Sequence, residues 1–310
     1  MSPDLFSRLS AGARAYYRAV HADGVTVERL DLDHVVACVK TYLTSSDVEP
    51  LALLSVNVDH LHHFAPGRSR IDGNDEAKIR WLALADGAPV AARAGRAVRE
   101  PWPRVTGADL LPELLSAAES VHATVGFLGG TPQSHSALRE VLARDYPRLQ
   151  RAHYWSPERS QVDDPAGARA LATEVRKAQV DMLCVAFGKP RQEEWIQQYG
   201  AASGCKVLLA FGASADFLAG QSARAPEWAR TSGLEWLYRL SREPGRLAKR
   251  YLVQGPVAAL RLISARDVTP LEASPSATAH ADSPAPRHPR RTGLETRRTQ
   301  QQHPHDRAEK

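Results

Sequence analysis

No stretch of this 310-residue chain approaches the roughly 18 consecutive apolar residues that a helix needs to cross a bilayer, so any membrane contact is expected to be peripheral. The opening residues, MSPDLFSRLSAGARAYYRAV, also lack the apolar stretch and small-residue cleavage site of a secretory leader. Cysteine is scarce: Cys38, Cys184 and Cys205 are odd in number and sit in apolar segments. They exclude a disulfide framework, predict reduced and buried thiols in a cytoplasmic protein, and none stands in a nucleophile's setting. Aromatic residues are only 6% of the chain. The G-x-G-x-x-G fingerprint of dinucleotide binding is missing, and the strand-like LQRAHYW leads to Ser156, where that fingerprint wants an acidic residue. An NAD(P)-dependent oxidoreductase is therefore only an alternative.

What is present is an ordinary globular composition, 43% hydrophobic and 24% charged, with a net charge of +5 and a pI near 9.2. The charge is concentrated: residues 224–266 hold nine Arg and Lys against three Glu, a net +6. Trp228, Trp236, Leu237, Tyr238 and Leu240 are interleaved with these charges, a pattern suited to an anionic surface as well as to a solvated face. A non-catalytic basic module that binds a membrane or nucleic acid through this segment is a second alternative.

From residue 123 onward, apolar runs alternate with helix-length amphipathic segments: ATVGFLGG, LQRAHYW, DMLCVAF and KVLLAFGA are strands, and helices lie between them. Such alternation predicts an α/β fold, a Rossmann-like, mainly parallel sheet with helices on both faces. In such sheets ligands bind beyond the carboxyl ends of the strands, which selects the loops 55–59, 86–89, 129–133, 188–192 and 212–216. Residues 30–43 read as a helix with Asp33 as N-cap, and 51–58 as a strand. Around this core, residues 1–35 read as a helical lead-in, 36–233 as the α/β core and 234–268 as a basic helical appendage. Residues 269–310, rich in Ser, Pro, Ala, His, Arg and Gln, read as a disordered tail.

Three segments carry a resemblance. AFGASADFLAGQSARAPEWARTSGLEWLYRLSREPGRLAKRY at residues 210–251 joins a glycine-rich turn to a dense set of Trp, Arg and Pro; GKPRQEEW at 188–195 and RVTGADLLPELL at 104–115 precede it. In this order, and over roughly residues 36–251, the chain resembles the WecG/TagA/CpsF family of bacterial glycosyltransferases. The resemblance implies transfer of a hexose or N-acetylhexosamine-type sugar from a UDP-sugar to a polyprenyl-diphosphate-linked saccharide, with inversion, in cell-surface polysaccharide or teichoic-acid-type glycan synthesis. It implies a protein peripheral on the inner face of the cell membrane, and leaves room for a homo-oligomer. No nucleic acid and no cofactor are expected.

Such a transfer needs a base for the acceptor hydroxyl, donors or cations for the leaving diphosphate, and a pocket for the nucleotide. Asp86 at a strand end can face the crevice as a base, although Asp-Gly is also a common turn. The resemblance favours the base, because ADG followed eighteen residues later by RVTGADL matches the family pattern. It also implies that Ser55 is catalytic beside Asp86 and that Asn57 binds substrate, at a position the family writes Thr-Pro-Asn; Ser55 retains the hydroxyl and Val56 replaces the proline. Arg104 suits a diphosphate or a carboxylate through its planar fork, with a surface ion pair as the plain alternative. Asp109 is expected near a helix N-cap.

Gly129 and Gly130 precede a helix start whose N–H groups could hold an anion. Gln192 fits a donor-nucleotide contact, and Glu193 either joins it or caps its own helix. Arg239, Arg246 and Lys249 fall where the family carries basic residues for the lipid diphosphate. Two metal signals are weaker. Asp31 and Asp33 form a D-x-D before a helix, not after a strand, which favours capping. His60, His62 and His63 cluster in sequence, but on a helix His62 would leave the face of the other two. No metal is expected.

Overall fold

The computed structural model describes residues 18–22, 25–46, 48–64, 78–149, 151–221, 235–242, 255–264 and 269–271, with isolated positions 226, 245, 248 and 252. The strands are β1 (Arg18–Ala22), β2 (Val25–Arg29), β3 (Leu51–Val56), β4 (Arg80–Ala85), β5 (Val125–Gly129), β6 (Ala152–Trp155), β7 (Met182–Ala186), β8 (Val207–Ala210) and β9 (Thr269–Leu271), of which β3 to β8 are the expected ones. They join in one sheet ordered β6-β5-β7-β8-β3-β4-β2-β1-β9. From β6 to β2 every pairing is parallel; β1 pairs antiparallel with both β2 and β9.

Parallel strands buried on both faces need apolar side chains at every position, and alternation then assigns each to a layer. Leu51, Leu53, Met182, Cys184, Val207 and Leu209 point to one core. There α1 (Leu32–Thr44), α4 (Gly107–Ser120), α5 (Pro132–Asp145) and α9 (Gly212–Leu218) cover the sheet. Their neighbours Ala52, Leu54, Leu183, Val185, Leu208 and Ala210 point to the other core. That face is covered by α2 (Val58–His63), α3 (Ala88–Val98), α7 (Pro165–Lys177) and α8 (Arg191–Ser203). A short helix, α6 (Arg159–Asp163), leads into α7. The Rossmann-like α/β architecture expected from the alternation is the one observed.

Three local expectations change. Residues 18–21, read as part of a helix, lie in β1, because RAVHA and VTVER place Val20 and Val27 inward at strand spacing and bury both. The sheet therefore begins at residue 18, ahead of the core boundary at 36. Asp31, not Asp33, caps α1: its Oδ1 accepts from the His34 amide at 3.0 Å and contacts His34 Nδ1 at 2.6 Å, while Asp33 sits in the first turn. Finally, residues 269–271 are not tail but β9, since the open edge of β1 offers backbone donors and acceptors that a neighbouring strand can satisfy. The rest of the expected tail lies outside the described residues.

The described residues of the C-terminal appendage include two helices, α10 (Glu235–Arg242) and α11 (Gly255–Ser264). Helix α11 buries Ala258 and Leu262, and the Leu262 carbonyl accepts from Arg93 Nε at 3.2 Å, tying the appendage to α3.

Candidate active site

The carboxyl ends of four adjacent strands, β7, β8, β3 and β4, open into one cleft of about 320 Å³. That is enough for a small ligand and lies where parallel sheets bind them. Ser55, Asn57, Asp86, Arg104 and Gln192, five residues picked from sequence, all line it.

Each is delivered by an identifiable local cause. Ser55 is the penultimate residue of β3, and Asn57 follows as the N-cap of α2, its Oδ1 accepting from the His60 amide at 3.1 Å. Asp86 leaves β4 with its amide bonded to the Val56 carbonyl at 2.9 Å, which sets it beside Asn57. Asn57 Nδ2 then donates to Asp86 Oδ2 at 3.3 Å, orienting one carboxylate oxygen.

The RVTGADL segment returns to the same place because Val105 donates its amide to the Ala85 carbonyl at 2.9 Å. Within it Thr106 is the N-cap of α4, with Asp109 near it as expected. Thr106 Oγ1 accepts from the Asp109 amide at 3.1 Å and donates to Asp109 Oδ2 at 2.7 Å, so Asp109 is the reciprocal partner one turn in. Gly107 is required by close approach: a Cβ there would lie 2.7 Å from Ser214 Oγ and 3.0 Å from the Phe211 ring. Arg104, half-buried at the cleft, has no ion-pair partner among the described residues, so its fork is available to a ligand.

Gly188 lies in the turn after β7 with a φ of +75°, in the left-handed region that glycine enters without strain. Gln192, 2% exposed, donates through Nε2 to the Ala210 carbonyl at 2.8 Å and to Glu193 Oε1 at 3.1 Å. Its amide is thus spoken for, and only the remaining oxygen is oriented toward Gly212 at the start of α9. Glu193 does not cap α8. It is wholly buried, and burial pushes its carboxyl up to about 7 against the pull of Lys189.

The remaining candidates fall elsewhere. Gly129 ends β5 and Gly130 follows it, and neither lines the cleft. At the α5 start beside them, the Thr131 and Ser134 amides bond to the Ser134 and Thr131 hydroxyls at 2.9 and 3.1 Å, a capping box that takes up donors an anion would need. Arg239 lies in α10, where its side chain is not described, and Arg246 and Lys249 lie outside the described residues. His60 stacks on Phe64 and faces Lys189, whereas His63 approaches Asp59 at 3.8 Å. All three cysteines are buried and form no disulfide, and burial pushes the Cys184 and Cys205 thiols up to about 12, away from nucleophile chemistry.

Two charged residues of the cleft were missed: Lys189, whose neighbours Gln192 and Glu193 drew attention instead, and Asp216 on α9. Asp216 falls in the last of the selected loops, so a search for carboxylates within those loops would have found it. The cleft thus presents two carboxylates, Asp86 and Asp216, and two cations, Arg104 and Lys189.

This arrangement meets an independent match. Residues 20–270 fit the model of the glycosyl transferase WecG/TagA/CpsF family. The chain belongs to that family. It is a glycosyltransferase, and the matched region runs from β1 to β9 and takes in every residue lining the cleft. Among its relatives is an N-acetylglucosaminyldiphosphoundecaprenol N-acetyl-beta-D-mannosaminyltransferase of Staphylococcus aureus strain MRSA252, 25% identical over 216 residues, which cover 70% of this chain and 82% of that protein. Proteins of the same name from strains NCTC 8325 and COL are 24% identical over the same coverage.

Proposed function

We propose that this glycosyltransferase moves a hexose or N-acetylhexosamine-type sugar from a UDP-sugar to a polyprenyl-diphosphate-linked saccharide, with inversion at the anomeric carbon. The observation that carries the reading is the Asn57–Asp86 pair sharing one cleft with Arg104, which has no ion-pair partner among the described residues, in a chain whose relatives are named for transfer to such an acceptor. Asp86 takes the proton of the acceptor hydroxyl as its oxygen bonds to the anomeric carbon. The bond to the diphosphate breaks on the opposite side, and UDP leaves with the electron pair. Arg104 meets the charge that develops on the diphosphate, where a bidentate donor contributes most. Ser55, whose hydroxyl is at the mouth of β3, and Gln192 bound the donor site.

The acceptor is lipid-borne in this reading, so the enzyme must reach a membrane surface. No described helix is long and apolar enough to cross one. The large apolar side chains that stand exposed among the described residues, Leu237, Leu252, Val257 and Leu260, all belong to the C-terminal appendage, which also carries the basic run. Aliphatic anchors beside cations suit an anionic leaflet on the inner face of the cell membrane, with each cation near the surface adding about 1 kcal/mol. Arg239, Arg246 and Lys249 would recruit the enzyme and screen the acceptor diphosphate. Cations of the protein serve for the leaving group here, without a metal.

The test is transfer by the full chain, with a panel of UDP-sugars and a short-chain polyprenyl-diphosphate N-acetylglucosamine. Release of UDP coupled to a lengthened lipid-linked saccharide is expected, and to persist in EDTA. No transfer from any donor, together with tight NAD(P) binding, would overturn the reading.

A further inference from the structure

From the cleft wall, Lys189 reaches into a buried cluster for which the proposed transfer has no direct use. The Lys189 side chain is 13% exposed, and its ammonium donates to the Ser55 carbonyl at 2.8 Å. It also approaches His60 Nδ1 at 3.4 Å and Glu193 Oε1 at 3.9 Å. His60 and Glu193 are each 0% exposed, and His60 Nε2 and Glu193 Oε2 find no hydrogen-bond partner among the described residues. Two such atoms left unsatisfied in the interior are costly; Lys189 is the cation that approaches both side chains, beside the Gln192 amide on Glu193 and the Phe64 ring on His60.

Burial, with the nearby Lys189 and His63 charges, keeps His60 neutral by lowering it well below the usual imidazole value. A neutral ring that accepts at Nδ1 carries its proton on Nε2, so Lys189 also sets its tautomer. From His60 the path to the chemistry is short. The His60 amide donates to Asn57 Oδ1 at 3.1 Å, and Asn57 Nδ2 donates to Asp86 Oδ2 at 3.3 Å.

We propose that Lys189 is a positioning residue for Asp86: it clamps the end of β3 and the first turn of α2 to the turn after β7, so that Asn57 holds the Asp86 carboxylate in one orientation. It spans 134 residues of sequence to do so. This rests on the reading of Asp86 as the base. Lys189 itself touches no reacting atom in this account, and it acts through the Ser55 carbonyl, His60 and Asn57.

The test uses the full chain with Lys189→Met, which keeps the length of the side chain and removes its charge, and Lys189→Arg, which restores a cation. In Lys189→Met, kcat is expected to fall about 10- to 100-fold, the scale of a base misplaced by about an ångström, with the donor KM nearly unchanged. Lys189→Arg should recover most of that loss. Hydrogen exchange of the peptide covering residues 55–64 should be faster in Lys189→Met, a readout that needs no turnover.

An unchanged kcat in a folded Lys189→Met variant would overturn the proposal. So would unaltered exchange at 55–64, or a loss confined to KM, which would make Lys189 a direct ligand of the donor. If wild type transfers nothing, the functional reading fails instead, and the exchange result still decides whether the clamp exists. A variant too unstable for kinetics is judged by whether Lys189→Arg restores both stability and exchange protection; if it does not, the cation is not what matters.

Discussion

Replacing Asp86 by Asn separates the chemistry of the carboxylate from its place in the fold. The Asp86 carboxylate accepts from Asn57 Nδ2 at 3.3 Å through Oδ2, and the Asp86 backbone is fixed by the Val56 carbonyl at 2.9 Å. A carboxamide is nearly isosteric and can keep its oxygen toward Asn57, so the cleft should stay assembled and stability should change by less than ~1 kcal/mol. What it loses is basicity, since an amide cannot take the proton of the acceptor hydroxyl. General-base help is typically worth 10²–10⁴ in rate, or about 3–5 kcal/mol of barrier. The expected outcome is therefore a kcat lower by about two to four orders of magnitude with UDP affinity within about twofold. Steady-state transfer to a short-chain lipid acceptor measures the first, and calorimetric UDP binding the second. Wild-type turnover in a folded Asp86→Asn protein would remove this residue from the mechanism. An equal loss of UDP binding would show that Asp86 holds the donor instead.

Arg104→Lys should weaken UDP binding and transfer together by roughly tenfold or more, because an ammonium cannot reproduce a planar two-point grip on a diphosphate; parallel binding and rate measurements check this. Glu28 is held at about 8 by burial, although its carboxylate accepts from the Ala83 amide at 2.8 Å. Its folded value lies above its unfolded one, so the native state retains a proton that the unfolded chain releases. Stability should therefore fall as pH rises from about 4.5 to 8, by up to a few kcal/mol. Glu28→Gln keeps an acceptor for Ala83 and should flatten that slope, read as the difference between wild-type and variant denaturation curves at pH 6 and pH 9. Alanine at Arg239, Arg246 and Lys249 together should weaken binding to anionic liposomes by about 3 kcal/mol at most and lower transfer to lipid-linked acceptor, while UDP binding is unchanged; undiminished liposome binding would place the docking role elsewhere.

Much of this was legible in the sequence, for a reason particular to parallel sheets. Runs such as LALLSV and MLCVA must be apolar at every position because both faces are covered, and the amphipathic segments between them must be helices. Knowing that the strands are parallel is enough to send function to the loops at their carboxyl ends. Ser55, Asn57, Asp86, Arg104 and Gln192 were all found from the loops and motifs of residues 55–192. One candidate pair lies apart from the cleft for a different reason. Gly129–Gly130 satisfies the local description of an anion site, yet its helix start is occupied by its own capping box and it lies off the cleft.

The sequence by itself determined the class of fold, the residue types at the strand ends and the family, because hydrophobic period and local motifs are encoded residue by residue. Only the tertiary structure decided which loops meet. Strand order β7-β8-β3-β4 follows from packing between distant segments, and period alone says which face is buried, not which strand lies next to it. The same holds for charge. Lys189 and Glu28 are unremarkable letters until the fold removes them from water, and it is burial that turns the first into a clamp and the second into a carboxyl that keeps its proton.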